Sequence, residues 1–258
     1  MSRVAIVRAV SPSLASCELT HLAREPIDVA RATAQHAAYV DALAAAGYRI
    51  EELPADDDMA DSVFIEDTAI VFDELAIVAR PGAESRRRET AAVAAALARY
   101  RELRTIEAPG TIDGGDVLVA GRQVFVGLST RTNTSAVEQM RSVLAPFGYT
   151  VCAVQVGGVL HLKSAVTAIG ERRLLANPAW IDAGAFRGFE MVAVDPDEPN
   201  AANALRLHDR LVMAAAFPRT AARVGGHGGH VEIVDVSELA KAEGAVTCCS
   251  LILEGDVR

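Results

Sequence analysis

Two adjacent cysteines near the end of the chain carry the sequence's most reactive side chains. Cys248 and Cys249 stand between Glu243-Gly244 and the apolar segment Leu251-Ile252-Leu253. A glycine followed by a short strand would direct the two sulfurs to opposite faces of the backbone. One thiol could then enter a pocket while the other packs into the core. A thiolate is a strong nucleophile when a histidine or a local positive charge stabilises it, so a histidine and a carboxylate must fold beside it.

A repeated supersecondary pattern indicates where those groups come from. Each copy opens with polar residues and continues as a β-hairpin with a turn of about two residues, which a break and often a helix follow. The spacing of roughly 45 to 50 residues is typical of radial or stacked repeats. The predicted copies open at Glu66-Asp67, Asp113, His161, Asn203 and Cys248, and the strand from Val4 to Val10 completes the fifth copy.

Five such units closed through the two ends of the chain would form an α/β ring. We treat residues 1–258 as a single catalytic domain. Equivalent positions of a ring face one axis, so the thiol, the imidazole and the carboxylates would meet in one pocket. The competing architecture is a doubly wound sheet. The ring is favoured because two-residue turns join antiparallel strands, whereas a doubly wound sheet needs crossover connections.

The converging residues predict a nucleophile, a proton carrier and an orienting acid. Cys248 would attack, His161 would carry protons, and Asp113 would hold and charge the imidazole. Taken alone, such a histidine is more often structural and such a cysteine more often a buried small hydrophobe. Their equivalent positions in the repeat favour catalysis. Cys249 is assigned to packing.

The charged residues around this predicted pocket indicate the substrate. Asp61, Glu66 and Asp67 bring more negative charge than the catalytic residues require, and inward-facing carboxylates are costly unless they meet a cation. Arg86 and Arg131 could bind a carboxylate at the substrate's other end. A guanidinium at one end and an α-carboxylate at the other describe an arginine derivative.

Composition sets the broad class of the protein. A formal net charge of -9 over 258 residues argues against nucleic acid or an anionic membrane as a partner and suits a cationic small molecule. No apolar run approaches the roughly 18 to 20 residues that cross a bilayer. The four cysteines include no Cys-x-x-Cys pair, which favours a reducing compartment. We therefore expect a cytoplasmic protein, monomeric or homodimeric.

Six short motifs in a fixed order carry a resemblance to a known family. They read Phe64-Ile65-Glu66-Asp67, Arg80-Pro81-Gly82-Ala83, Gly110-Thr111-Ile112-Asp113-Gly114-Gly115-Asp116-Val117, Gly127-Leu128-Ser129-Thr130-Arg131-Thr132-Asn133, Leu160-His161-Leu162-Lys163-Ser164 and Val246-Thr247-Cys248-Cys249-Ser250. Together they resemble the dimethylarginine dimethylaminohydrolases of the guanidino-group-modifying (pentein) superfamily.

The resemblance implies a fold and a reaction. The fold is a five-bladed pseudo-symmetric α/β propeller, the pentein fold. The reaction is hydrolysis of Nω,Nω-dimethyl-L-arginine and Nω-monomethyl-L-arginine to L-citrulline and dimethylamine or methylamine through a covalent Cys-thiouronium intermediate, with no metal or organic cofactor. By position, Cys248 is the nucleophile, His161 the proton donor and Asp113 the triad acid. The implied substrate-binding residues are Asp61, Glu66, Asp67, Arg86 and Arg131, with backbone groups of Leu19 and Ala242. The resemblance also places a mobile lid over the substrate in the loop before Leu19.

Other functions remain open at this point. An arginine or agmatine deiminase or an amidinotransferase would share the same triad, and a catalytically silent arginine-binding ring would share the fold. The chain is short for an arginine deiminase, and Arg86 with Arg131 disfavours agmatine because agmatine has no carboxylate. Residues 178–200 carry no family motif. The run Gly225-Gly226-His227-Gly228-Gly229-His230 is interpreted as a flexible turn, since two histidines lack the further ligands of a metal site.

Overall fold

Fifteen strands pair into five separate three-stranded sheets in the computed structural model, which describes residues 3–227 and 230–255. In four sheets an antiparallel hairpin is followed by a third strand that pairs parallel with the second strand of the hairpin. A parallel neighbour needs a crossover connection. The predicted hairpins are therefore present, and each gains a third strand.

The strands, in chain order, are β1 (Val4–Arg8), β2 (Arg49–Leu53), β3 (Ala69–Val71), β4 (Leu75–Val78), β5 (Glu102–Thr105), β6 (Val117–Ala120), β7 (Gln123–Leu128), β8 (Thr150–Gln155), β9 (Val166–Gly170), β10 (Arg173–Ala176), β11 (Glu190–Ala193), β12 (Ala204–Leu207), β13 (Arg210–Ala214), β14 (His230–Val234) and β15 (Leu251–Leu253). The α-helices are α1 (Val29–Ala45), α2 (Thr90–Leu97), α3 (Thr134–Leu144), α4 (Leu162–Ala165), α5 (Pro218–Gly225) and α6 (Ser237–Ala240).

The fifth sheet joins the two ends of the described chain. Strand β15 pairs antiparallel with β1, with Val4 opposite Leu253, and β1 pairs parallel with β2 after the crossover through α1. The sequence predicts a helix from Val29 to Ala46 capped by Asp28, and α1 begins at Val29 because the Asp28 Oδ1 atom accepts a hydrogen bond of 3.0 Å from the Arg31 backbone N–H. The five-bladed α/β propeller is therefore confirmed, including closure of its last blade by the N-terminal strand.

Short helical turns stand in front of three blades where the sequence predicted strand or loop. The 3₁₀ helices Ile65–Thr68 and Gly114–Asp116 precede β3 and β6, and the one-turn helix α4 precedes β9. From its apolar residues, the sequence predicts a strand from Leu162 to Ile169; this prediction is wrong for the first half, which forms α4, and β9 begins only at Val166. The cysteine pair likewise lies in a turn before β15 and not at the start of a strand. These turns direct adjacent side chains in different directions, which decides what reaches the site.

Two adjacent glycines allow the turn before β6 to pack tightly. A Cβ at Gly114 would lie 2.0 Å from the Glu66 backbone oxygen, and one at Gly115 would lie 2.5 Å from the His161 Nδ1 atom. Any side chain there would displace groups of the predicted site. Because they stand between two aspartates, the sequence predicts that these glycines let the backbone pass close to a ligand; in the structure they let it pass close to the neighbouring blades.

Five buried apolar clusters lie between and beneath the sheets. The largest packs α1 against β14 and α6, and it includes Cys249, Tyr39 and Leu43. Among residues 3–227 and 230–255, no helix is both long and apolar enough to cross a membrane. Gly228 and Gly229 of the glycine and histidine run lie outside the described residues, so its interpretation as a flexible turn stays a prediction.

The α1 face of this cluster buries a histidine that the site does not use. His36 is 3% exposed, and its Nε2 atom has no hydrogen-bond partner among the described residues. Burial lowers the pKa of His36 to about 4. The unfolded chain therefore binds a proton at this residue between pH 6.5 and 4 that the folded protein does not bind, and stability falls as the pH drops through that range.

Replacing His36 with phenylalanine is expected to reduce this loss at acid pH. A pKa difference of this size corresponds to roughly 3 kcal/mol of unfolding free energy. The free energy of unfolding, measured with urea, should therefore fall less between pH 7 and pH 4.5 for His36→Phe than for the unaltered protein. His230→Phe, at an exposed histidine, is the control and should show the unaltered drop. Equal drops in all three proteins would contradict this role of His36.

Candidate active site

A cavity lies where the turns that open the blades converge. It holds eight of the ten predicted site residues, from six separate segments of the chain. Glu66 and Leu19 are outside its lining. The lining residues are Glu18, Asp61, Phe64, Asp67, Arg86, Asp113, Arg131, Leu160, His161, Ala242, Glu243 and Cys248.

His161 is held between two carboxylates. Its Nε2 atom lies 3.2 Å from the Asp113 Oδ2 atom, and its Nδ1 atom lies 3.8 Å from the Asp67 Oδ1 atom. Burial favours the neutral ring, but the charge of Asp67 and the hydrogen bond with Asp113 outweigh it and raise the pKa of His161 to about 9. The imidazole is therefore protonated at neutral pH and can act as an acid.

The two carboxylates are fixed by backbone donors. The Gly82 N–H donates to Asp113 Oδ1 at 2.8 Å, and the Gly115 N–H donates to Asp67 Oδ1 at 3.0 Å. Burial alone would raise the pKa of Asp67, but His161 and Arg86 lower it below its usual value. Asp67 is therefore ionised beside the cavity, in an orientation that its hydrogen bonds determine.

The two cysteine thiols have different surroundings. Cys248 lines the cavity and is 9% exposed, whereas Cys249 is fully buried in the core with its Sγ atom 3.6 Å from the Ala245 carbonyl oxygen. Burial, followed by the charges of Glu66 and Asp67, raises the pKa of Cys248 well above its ordinary value. The thiol is therefore protonated in the free protein at neutral pH, and a cation bound in the cavity would favour its ionisation.

Glu66 lies outside the cavity lining, although its neighbour Asp67 faces the cavity. Its Oε1 atom lies 2.5 Å from Lys163 Nζ, and its Oε2 atom accepts a hydrogen bond of 2.8 Å from Thr247 Oγ1. Thr247 in turn accepts a hydrogen bond of 2.9 Å from Asn203 Nδ2. This buried network ties together four blades. Glu66 acts on Cys248 through its charge.

The two predicted carboxylate-binding arginines differ in how far they are engaged. Arg86 is 6% exposed and donates to Asp67, to both Glu89 carboxylate oxygens, and to two backbone carbonyls, which leaves one Nη1 hydrogen without a partner among the described residues. Arg131 is less constrained: its Nη2 atom donates to Thr20 Oγ1 at 2.9 Å, and its Nη1 atom lies 3.8 Å from Glu18 Oε2. Arg131 is the more available of the two.

Sequence reasoning missed two glutamates of the cavity. Glu18 precedes Leu19 and contacts Ser85 and Arg131, and Glu243 follows Ala242. Both stand next to residues that the resemblance implied for their backbone groups. Their position next to Leu19 and Ala242 could have indicated that they lie near the cavity. Sequence position does not, however, show in which direction their side chains point.

The carboxylates and the imidazole also have the arrangement of a possible metal site. Ligand atoms of Asp67, Asp113 and His161 lie within 4.8 Å of one another. Protein donors already occupy these carboxylates: Arg86 and the Gly115 N–H at Asp67, and the Gly82 N–H at Asp113. The cluster is thus accounted for by hydrogen bonding within the protein.

Comparison with known proteins gives the family. A family model described as "N,N dimethylarginine dimethylhydrolase, eukaryotic" matches residues 20–189. A Streptomyces coelicolor protein named N(G),N(G)-dimethylarginine dimethylaminohydrolase is 43% identical over 253 residues, which cover 98% of this chain and 97% of that protein. The chain belongs to the dimethylarginine dimethylaminohydrolase family. The resemblance seen in the motifs is therefore confirmed, and with it the assignment as a hydrolase acting on C–N bonds.

Solved structures of the dimethylarginine dimethylaminohydrolase family share this fold. The Pseudomonas aeruginosa enzyme, as a cysteine-to-serine mutant complexed with citrulline, matches with a TM-score of 0.94 and 35% identity over 98% of this chain and 100% of that chain. The N-terminal domain of a cyanobacterial arginine dihydrolase, bound to substrate, matches with a TM-score of 0.84 but only 16% identity over 97% and 98% of the two chains. The second likeness shows the pentein fold alone.

Proposed function

We propose that this protein hydrolyses Nω,Nω-dimethyl-L-arginine and Nω-monomethyl-L-arginine to L-citrulline and the corresponding methylamine. The observation that carries the proposal is the buried cavity in which Cys248 and a protonated His161 share walls with Asp61, Asp67 and Arg131. The relatives named for this activity support it. The reaction would take place in the cytoplasm, in a single catalytic domain that is monomeric or homodimeric.

The charges of the cavity suit both ends of the substrate. Asp61 and Asp67 would bind the guanidinium, and Arg131 with the remaining Nη1 hydrogen of Arg86 would bind the α-carboxylate. Burial raises the pKa of Asp61, although Arg86 acts in the opposite direction. A bound cation would favour the ionised form of Asp61. Glu66 would contribute at a distance, and Leu19 and Ala242 would contribute backbone groups.

Substrate binding would start the reaction. The guanidinium brings a positive charge next to Cys248, the pKa of the thiol falls, and its proton leaves for solvent. The thiolate then forms a bond to the guanidinium carbon. His161 gives its proton to the dimethylamino nitrogen, and the bond from carbon to that nitrogen breaks. Dimethylamine leaves, and the remaining carbon is held on sulfur as a thiouronium.

The same imidazole would complete the turnover. Neutral His161 takes a proton from water, and the resulting hydroxide adds to the thiouronium carbon. The carbon–sulfur bond then breaks, the hydroxyl proton passes to the released Cys248 sulfur as the urea carbonyl forms, and citrulline leaves a protonated thiol beside a protonated imidazole. Asp113 holds the imidazole in place and favours its protonated form throughout. Apart from the thiol proton that goes to solvent, these proton transfers involve only Cys248, His161, water and the substrate.

Formation of a ureido product from rival substrates tests this function, since free and methylated arginine give citrulline and agmatine gives N-carbamoylputrescine. Dimethylarginine and monomethylarginine should react with kcat/KM about 10- to 200-fold above arginine, the range expected for apolar groups in a fitted pocket. Agmatine should react about 100-fold more slowly, because it leaves Arg131 and Arg86 without a carboxylate. Colorimetric initial rates at matched enzyme concentrations measure all four. Preferential turnover of unmethylated arginine would instead assign an arginine deiminase.

A further inference from the structure

The loop around Leu19 contributes Glu18 to the cavity lining, and the Glu243 side chain holds this loop through hydrogen bonds. The Glu243 carboxylate accepts three hydrogen bonds from consecutive backbone N–H groups: from Thr20 at 3.0 Å, from His21 at 2.6 Å and from Leu22 at 2.7 Å. Consecutive N–H groups that converge on one anion are a strong and specific arrangement. Glu243 therefore fixes residues 20–22 relative to the segment between α6 and β15.

The backbone around Glu243 is shaped to hold this carboxylate in place. Glu243 has a φ of 60°, in the left-handed region that residues other than glycine rarely adopt. Such a conformation persists only when its surroundings stabilise it. Gly244 follows, and a Cβ there would lie 2.1 Å from the Phe64 ring, itself a wall of the cavity. The turn is therefore locked against the site.

The segments that Glu243 joins are those next to Leu19 and Ala242. Leu19 precedes the three donors, and Ala242 precedes Glu243. The carbonyl oxygens of Leu19 and Ala242 accept no hydrogen bond from another residue within 3–227 and 230–255. A zwitterionic amino acid whose carboxylate meets Arg131 brings an ammonium group nearby that needs such acceptors.

We propose that Glu243 is a positioning residue that sets the spacing of the Leu19 and Ala242 carbonyl groups for the substrate's α-ammonium group. This inference rests on the proposed function for its substrate. Arg131 also contacts this loop, because its Nη2 atom donates to Thr20 Oγ1 at 2.9 Å. Thr20 is thus held through its backbone by Glu243, which only positions, and through its side chain by Arg131, which would bind substrate.

The contact of Glu243 with the loop can be tested without substrate. Glu243→Ala removes all three acceptor contacts, and Glu243→Gln keeps the shape but offers one acceptor oxygen and a competing donor. Amide hydrogen exchange of the peptide that contains Thr20, His21 and Leu22 should be about tenfold faster in Glu243→Ala, with Glu243→Gln between the two. Glu171→Ala, in the exposed β9–β10 turn, is the matched control and should exchange as the unaltered protein does.

Kinetics with two substrates test the link to the α-ammonium group. Glu243→Ala should raise KM for dimethylarginine about tenfold and change kcat less than threefold. The desamino analogue of dimethylarginine, which lacks the ammonium, should show the same KM in both proteins. Glu243→Gln should show an intermediate KM effect, again confined to the amino acid substrate.

Each outcome decides a separate point. Equal KM increases for both substrates, or none for either, would overturn the positioning role. Unchanged hydrogen exchange in Glu243→Ala would overturn the fastening of the loop. An unaltered protein that does not turn over dimethylarginine would reject the proposed function, while the exchange experiment would still judge the contact by itself.

Discussion

Cys248→Ser is expected to abolish citrulline formation from dimethylarginine, with kcat lowered by a factor on the order of 10³ to 10⁶. A serine hydroxyl ionises at a much higher pH than a thiol, and the cavity already raises the pKa of the residue at this position through burial and the charges of Glu66 and Asp67. The positive charge of the bound guanidinium can lower the pKa of a thiol enough for it to ionise, but it cannot do so for a serine hydroxyl. Initial rates give the loss, and calorimetric titration with citrulline should show that the serine variant still binds ligand.

The neighbouring sulfur provides the matched control. Cys249 is fully buried and outside the cavity lining, so Cys249→Ser should keep kcat within about threefold and lose stability, because a hydroxyl enters an apolar cluster. Urea unfolding of both variants separates stability from chemistry. A folded Cys249→Ser protein without activity, or a Cys248→Ser protein with full activity, would show that the other sulfur is the nucleophile.

His161→Gln is expected to lower kcat by about 10²- to 10⁴-fold, the contribution of a well-placed general acid. Glutamine has similar size and can donate a hydrogen bond to Asp113, but it cannot transfer a proton to the leaving amine. His230→Gln changes an exposed histidine beside Glu232 and should leave kcat unaltered. Full activity in His161→Gln would assign the proton donor to another group.

The pH dependence of kcat/KM should report the raised pKa of His161. Below about pH 9 the free site holds protons on both Cys248 and His161, whereas the reacting form is a thiolate beside an imidazolium. One proton must leave, so kcat/KM should rise about tenfold per pH unit up to about pH 9 and then level off. In His161→Gln, the residual rate should still be rising at pH 9. A flat profile between pH 6 and 9 in the unaltered protein would mean that the thiolate exists before substrate binds.

The architecture was predictable from the sequence because its signal is repeated. Two-residue turns between short apolar runs define the hairpins, and only a ring brings hairpin openings at His161 and Cys248 to one place. The turns before the blades were less predictable. The segment after His161 is apolar enough to read as a strand, yet a local hydrogen bond of 3.0 Å from the Ser164 N–H to the His161 carbonyl oxygen closes a helical turn.

The direction in which each side chain points was the part of the site that the sequence could not predict. Glu66 and Asp67 are equivalent as sequence, but the 3₁₀ turn that contains them sends Asp67 to the cavity and Glu66 to Lys163. Arg86 was predicted to bind the substrate's carboxylate, and the structure shows that it already donates hydrogen bonds to four protein residues. Such pairings join residues far apart in sequence or depend on local backbone geometry, and no spacing rule reveals them.

The blade that holds the nucleophile differs from the other four in how it is built. Each of those comes from one continuous stretch, whereas β15 must find β1, nearly the whole chain earlier. During synthesis on a ribosome, β1 would therefore lack its antiparallel partner until β15 had emerged. A nascent or prematurely released chain would hold imidazole and acid without an attacking sulfur. A chain truncated before Cys248 would therefore be catalytically inactive.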